Sequence, residues 1–174
     1  MTEDRTEFLK KVPAFEGVGE DGLARFSGLL RSVEMTGGDV IIKEGEEGDT
    51  VFIIEEGQVE ISMGITLALN SAVGEVPEAM EKVLVRLGPG AMFGEMAFIF
   101  EKELRSATIT ALCDGKLLAV SSEDFNIFME KDAKSANRII LNIARIIAKR
   151  LRKTNEDMKK LTTVLSIALR NPVR

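Results

Sequence analysis

Histidine does not occur in the chain, cysteine occurs once, and neither tryptophan nor tyrosine is present. Without histidine, imidazole-based triads, haem ligation through histidine and most transition-metal sites are out of reach. One cysteine can form no intrachain disulfide and no zinc site by itself. Cys113 lies in the apolar stretch Ile109–Val120, where it is expected to be a small buried hydrophobe. An enzyme built from this chain would have to work with carboxylates, lysine, arginine or hydroxyls, and none is expected. No apolar run approaches the ~18 residues that a membrane span needs. The polar start, Met1-Thr2-Glu3-Asp4-Arg5, is not followed by an apolar signal region. The expectation is a cytoplasmic protein with no metal and no membrane partner.

What is present is an ordinary globular balance, 45% hydrophobic and 29% charged, so a real core is possible. Its 174 residues suffice for one domain plus an appended helix. With nine Phe as the only aromatics, that core must rest on Ile, Val, Leu, Met and Phe. The net charge of −5 hides an asymmetry: residues 1–130 sum to −14 and residues 131–174 to +9. A basic tail could touch nucleic acid. The reading preferred here is a solvated helix face that complements an acidic body, because the basic residues are spread along the helix and form no single block.

Three zones follow one another. Over about residues 4–31, Phe8, Leu9, Val12, Phe15, Leu23, Phe26, Leu29 and Leu30 recur at helical spacing, with Pro13 and Gly17 as breaks. Over about residues 32–122, short β-branched runs such as Val40-Ile41-Ile42 and Val51-Phe52-Ile53-Ile54 alternate with glycine turns. Such spacing predicts an all-β sandwich, roll or barrel. Over about residues 122–170 the pattern is helical again, a short helix from Ser122 to about Met129 and a long one from about Ala133. The stretch Met63–Lys82 is too long for a tight hairpin. It is expected to be a packed excursion, either a strand extension with a flap or a short helix at Pro77–Glu81.

The chemistry concentrates in Gly88-Pro89-Gly90-Ala91-Met92-Phe93-Gly94-Glu95-Met96-Ala97-Phe98 and Arg105-Ser106-Ala107-Thr108. A glycine-rich turn leaving a strand into a short helical turn presents unpaired amides, which suits an anion. Gly94, without a Cβ, would let a ligand approach the backbone. Arg105 offers a planar fork that matches phosphate oxygens. Glu95 beside an anion makes sense only if its carboxylate faces a hydroxyl donor. Spacing alone leaves a second reading open, an ordinary turn with a Glu95–Arg105 surface salt bridge.

Together, Phe93-Gly94-Glu95-Met96-Ala97 and Arg105-Ser106-Ala107 resemble the phosphate-binding cassette of the cyclic-nucleotide-binding domain family. Gly45-Glu46-Glu47-Gly48-Asp49-Thr50, the strand after it and Gly57 resemble that family's earlier turn, and the likeness covers about residues 8–160. The resemblance implies a mainly β fold with flanking helices, a double-stranded β-helix (jelly roll), followed by a long dimerisation helix. It implies that Glu95 binds the ribose 2′-hydroxyl and Arg105 the cyclic phosphate. Gly94, Met96 and Ala97 would contribute backbone groups, Ser106 its hydroxyl and Ala107 its N–H. Val85 and Leu87 would line the base pocket.

The long helix carries Ile140, Ala144, Ile147, Leu151, Thr154, Met158, Leu161, Leu165 and Ala168 at alternating steps of four and three. That is a heptad seam and predicts a homodimer, with packing onto the β-body as the alternative. Thr154 breaks the seam. By likeness to the sensor domain and central helix of bacterial catabolite activators, Thr154 would bond the base of its own chain's ligand. Asn155 would reach the partner chain's ligand, and cAMP would be favoured over cGMP. After this helix the sequence ends without a helix-turn-helix, so direct DNA binding is not expected. The expected organisation is a binding domain over 1–132, a dimer helix over 133–170 and a tail over 171–174. The expected function is a cyclic-nucleotide sensor with a downstream protein partner. The alternative is a degenerate dimerisation scaffold that binds no nucleotide.

Overall fold

Alternating β-branched runs and glycine turns become eight strands in a computed structural model that describes residues 2–66, 79–98 and 104–170. They are β1 (Arg31–Met35), β2 (Val40–Ile42), β3 (Thr50–Glu56), β4 (Val59–Thr66), β5 (Ala79–Leu87), β6 (Met92–Phe93), β7 (Thr108–Ala111) and β8 (Gly115–Ser121). Two antiparallel four-stranded sheets result, one in the order β1-β8-β3-β6 and the other β2-β7-β4-β5. This is the expected jelly roll.

The first sheet is covered on both faces, and the two-residue period of its strands explains how. On β3, Val51 and Ile53 join the helices in one core, while Ile54 points into a second core between the sheets. On β8, Leu118 and Val120 face the helices and Leu117 faces the other sheet. The helical core adds Phe15, Phe26, Phe125 and Phe128, whose rings meet edge-on or tilted.

The flanking helices are α1 (Thr2–Leu9), α2 (Glu20–Ser27), α3 (Ser122–Lys131) and the 38-residue α4 (Ala133–Arg170). A 3-10 turn at Pro13–Phe15 separates α1 from α2, with Pro13 at the position where its missing N–H costs nothing. The side chain of Ser121 caps α3 by accepting from the Asp124 N–H at 3.1 Å. Asp132 caps α4, accepting from the Ser135 N–H at 3.1 Å and from Arg25 at 2.7 Å. The inner part of α4 lies on the body through Ala136, Ile139 and Ile143, all buried. Asn142, buried beside them, donates to the carbonyls of Ala14 and Glu16 at 3.1 and 2.8 Å.

One expectation needs correction, and one pair of alternatives is decided over residues 79–81. Cys113 is exposed, because Ile109–Val120 is two strands joined by a tight turn at Leu112-Cys113-Asp114. The excursion is a strand extension: β4 runs to Thr66 and β5 starts at Ala79, with Thr66 opposite Ala79 and Gly64 opposite Glu81. Cross-strand pairing therefore replaces helix at 79–81, and residues 67–78 lie outside the described residues. No helix among the described residues is long and apolar enough to cross a membrane.

Candidate functional site

The cassette begins where β6 ends. Gly94 turns the chain at φ +75° into a 3-10 turn, Glu95–Phe98, that also contains Met96 and Ala97. A side chain at Gly94 would be strained there, and its Cβ would lie 2.9 Å from the Thr50 carbonyl oxygen and 3.0 Å from Arg105 Nη1. Glycine is thus required by backbone angle and by close approach together.

Arg105 is held at both ends. Its backbone N–H donates to the Glu46 carbonyl and its carbonyl accepts from the Gly45 N–H, both at 2.8 Å. Leu104, just before it, bridges to Glu47. At the far end, Nη2 donates to the Thr50 carbonyl at 2.9 Å. Gly48 leaves the space that the guanidinium fills, since a methyl group there would overlap it. The Gly45–Thr50 turn, a separate motif in the sequence, is therefore the cradle of Arg105. Burial pushes the Arg105 pKa down and the nearby Asp49 pushes it up. An arginine starts so far above neutrality that it remains a cation.

Beside these groups lies a recess of about 630 Å³, counting its open mouth. Gly94, Glu95, Met96, Arg105, Ser106 and Ala107 line it, with apolar walls from Ile42, Ile61, Leu104 and Ile109. The Ser106 hydroxyl rests 3.7 Å from the Met96 sulfur. A polar edge with two arginines, Arg105 and Arg150, and one carboxylate, set against an aliphatic wall, can hold an anionic ligand that also carries hydroxyls and a flat apolar part. Among the described residues no group of three or more carboxylate or thiol side chains could hold a metal ion.

The salt-bridge alternative for Glu95 and Arg105 is not what forms. Glu95 pairs instead with Arg150 of α4, whose Nη1 donates to Oε1 at 2.5 Å. The other arm, Nη2, donates to the Met92 carbonyl at 2.7 Å. Arg150 lines the recess as well. Sequence reasoning missed it because 55 residues separate it from Glu95. The available signal was the unexplained carboxylate beside an anion site, which called for a second cation.

Other expected residues lie elsewhere. Val85 is opposite Ile61 and is 40% exposed, and Leu87 is opposite Val59 and packs on the core between the sheets. Neither lines the recess, because β4 stands between β5 and β7. Thr154 is exposed one turn beyond Arg150, its hydroxyl donating to the Arg150 carbonyl at 3.1 Å. Asn155 lines a shallow groove with Met158 and Thr162, away from the recess.

Comparison with known proteins agrees with this geometry. The model of the family described as "Cyclic nucleotide-binding domain" matches residues 32–132, and the chain belongs to that family. The chain is 26% identical over 155 residues to a CRP-like cAMP-activated global transcriptional regulator of Mycobacterium tuberculosis, covering 89% of this chain and 62% of that one. It is 34% identical over 123 residues to a cGMP-dependent protein kinase of Drosophila melanogaster, covering 70% of this chain and 12% of the kinase. Among solved structures, the Thermus thermophilus catabolite activator protein superposes with a TM-score of 0.70 at 25% identity, over 86% of this chain and 63% of the other. The chain thus spans less than two thirds of the length of these relatives.

Proposed function

We propose that the chain is a non-catalytic cyclic-nucleotide sensor that binds cAMP in preference to cGMP and acts as a dimer through α4. The carrying observation is Arg105, cradled by Gly48 and tied to Thr50 at the edge of a recess that also holds Glu95. Arg105 would take the cyclic phosphate, with the Ser106 hydroxyl and the Ala107 N–H beside it. Glu95 would accept from the ribose 2′-hydroxyl, and the backbone of Gly94, Met96 and Ala97 would close around the sugar and phosphate. Ile42, Ile61 and Leu104 would face the base. The preference for cAMP rests on Thr154 and, from the second chain, Asn155. Both lie on the exposed part of α4, where Leu151, Met158 and Leu161 offer an apolar stripe to a second copy. The mycobacterial relative is named as cAMP-activated and the Drosophila kinase as cGMP-dependent, so cyclic nucleotides as a class have support from both sides. A ligand that binds two arrangements of α4 unequally would shift their populations, and a downstream protein would read the result.

Titration calorimetry with cAMP and cGMP tests this on wild type, Arg105→Ala and Gly48→Ala. Binding is expected to fall at least tenfold in Arg105→Ala. Gly48→Ala keeps every charge but displaces the guanidinium, so it should fall as well. Unchanged affinity in both variants would remove the phosphate assignment. A second reading, a dimerisation scaffold that binds no nucleotide, draws on the occupied Glu95 carboxylate. A thermal-shift series with cyclic nucleotides separates the two, since the scaffold would show no shift.

A further inference from the structure

The basic residues of α4 are spread along the sequence, and the helix sorts many of them onto one side. Asn142, Arg145, Lys149, Arg152, Glu156 and Lys159 follow one another at alternating steps of three and four. Each stands two positions before a seam residue, the first before Ala144 and the last before Leu161. Two positions turn an α-helix by about 200°, so this second series runs nearly opposite the seam. We propose that its basic stripe docks an acidic α-helix of a second protein, leaving the seam free on the other side. None of its members lines the recess, so the proposal stands apart from the cyclic-nucleotide reading.

Three observations carry it. First, the cations are available. Arg145, Lys149, Arg152 and Lys159 are exposed. Among the described residues the ion pairs of α4 are Arg150–Glu95 and Lys160–Asp157, which leave all four without a carboxylate. The acidic body therefore does not neutralise the stripe. At its inner end the stripe is anchored: Asn142 is held by the carbonyls of Ala14 and Glu16, and Arg145 Nη1 donates to Asn142 Oδ1 at 3.2 Å. Second, the repeat is that of a helix packed along a helix, so acids at the same spacing on a partner would meet every cation at once. Glu156 interrupts the stripe. A partner helix can place a neutral or basic residue there, whereas a uniform polyanion meets repulsion. Third, the other polyanions fit poorly. No aromatic residue occurs in α4 on which the bases of a single strand would stack. The apolar stripe lies opposite the basic one, so sinking it into lipid would turn these cations away from the headgroups.

The probe is a synthetic alanine-based peptide of about three heptads with glutamates at alternating steps of three and four. It is titrated into the full chain by fluorescence anisotropy at low ionic strength, without nucleotide. A scrambled peptide of the same composition, an oligothymidylate of equal charge and phosphatidylserine vesicles are titrated alongside. The patterned peptide is expected to bind tightest and to weaken as salt is added. Lys149→Ala with Arg152→Ala is expected to weaken it about threefold to tenfold, the scale of two exposed ion pairs. Lys11→Ala with Lys134→Ala removes the same charge outside the stripe and should leave affinity within about twofold. All four positions are exposed, and circular dichroism checks that both double variants keep the fold. Leu161→Glu, on the seam, should bind the peptide no less tightly than an equally charged Thr163→Glu control. Equal losses in the two double variants would reduce the effect to net charge and overturn the proposal. So would binding of the scrambled peptide, the oligothymidylate or the vesicles as tight as that of the patterned peptide. A loss confined to Leu161→Glu would place the peptide on the seam and overturn it too, as would no binding of the patterned peptide at all.

Discussion

Up to Arg150, α4 sets Ala136, Ile139 and Ile143 against its own body, each at most 5% exposed. Beyond Arg150 the same helix carries Leu151, Met158 and Leu161 at 59–64% exposure. Both stretches are amphipathic, yet their apolar stripes are offset around the helix. The inner stripe runs 136, 139, 143, and the outer one is the heptad seam through 151, 158 and 161. Ile147, in the seam, is partly buried against the helical core, so the two stripes overlap just before Arg150. Packing on the body and pairing with a second chain looked like alternatives in the sequence. The helix divides them by face: Ala136, Ile139 and Ile143 serve the body, while the seam residues Ile140, Ala144, Leu151, Met158 and Leu161 stay exposed.

The strongest challenge to this division is Ile139→Ala. Its side chain is fully buried, and such a truncation costs about 2–5 kcal/mol. Urea unfolding should show that loss, and a loss below about 1 kcal/mol would mean that the inner stripe is not part of the core. A smaller effect is expected at the start of the helix. Asp132→Ala removes the cap of α4 and the partner of Arg25, for about 1 kcal/mol at neutral pH. The hydrogen bond from Arg25, with that from the Ser135 N–H, holds the Asp132 carboxyl below its ordinary value. A depressed carboxyl stabilises the fold above its unfolded pKa, near 3.9, and loses that contribution as pH falls through the lowered folded value. The gap between wild type and Asp132→Ala should therefore close in acid, and a gap that widened would contradict the pairing. The smallest effect on stability is expected in the outer part. Leu161→Glu should leave the unfolding free energy of dilute protein within about 0.5 kcal/mol. Sedimentation at higher concentration should nevertheless shift towards monomer. Sedimentation identical to wild type would remove a second copy as the occupant of the seam.

How far the sequence could be read follows the same division between local and distant causes. The β zone was legible because glycine turns and β-branched runs are local signals, and the helical zones because apolar residues recur at helical spacing. The cassette was legible as a motif, and Gly48 and Gly94 now have a reason in the space that Arg105 fills. Cys113 was misplaced because an apolar run across a tight turn resembles a single buried strand. The recess walls at Ile42, Ile61 and Leu104 come from three separate segments, which no local pattern joins. Val85 and Leu87 were placed by family likeness, and the structure sets them on the strand beside the recess wall at Ile61. Arg150 was invisible for the same reason as the walls: only the docking of α4 brings it to Glu95.

Arg105 has one more consequence. A free arginine side chain gives up rotamer entropy when it grips a ligand, about 0.5–1.5 kcal/mol for a side chain of this kind. Here the turn at Gly45–Thr50 has already fixed both its backbone and its guanidinium. The ordering is completed during folding, so a phosphate would meet an arm that no longer has to be recruited. Binding free energy that would have gone into stilling Arg105 is then available to act on α4.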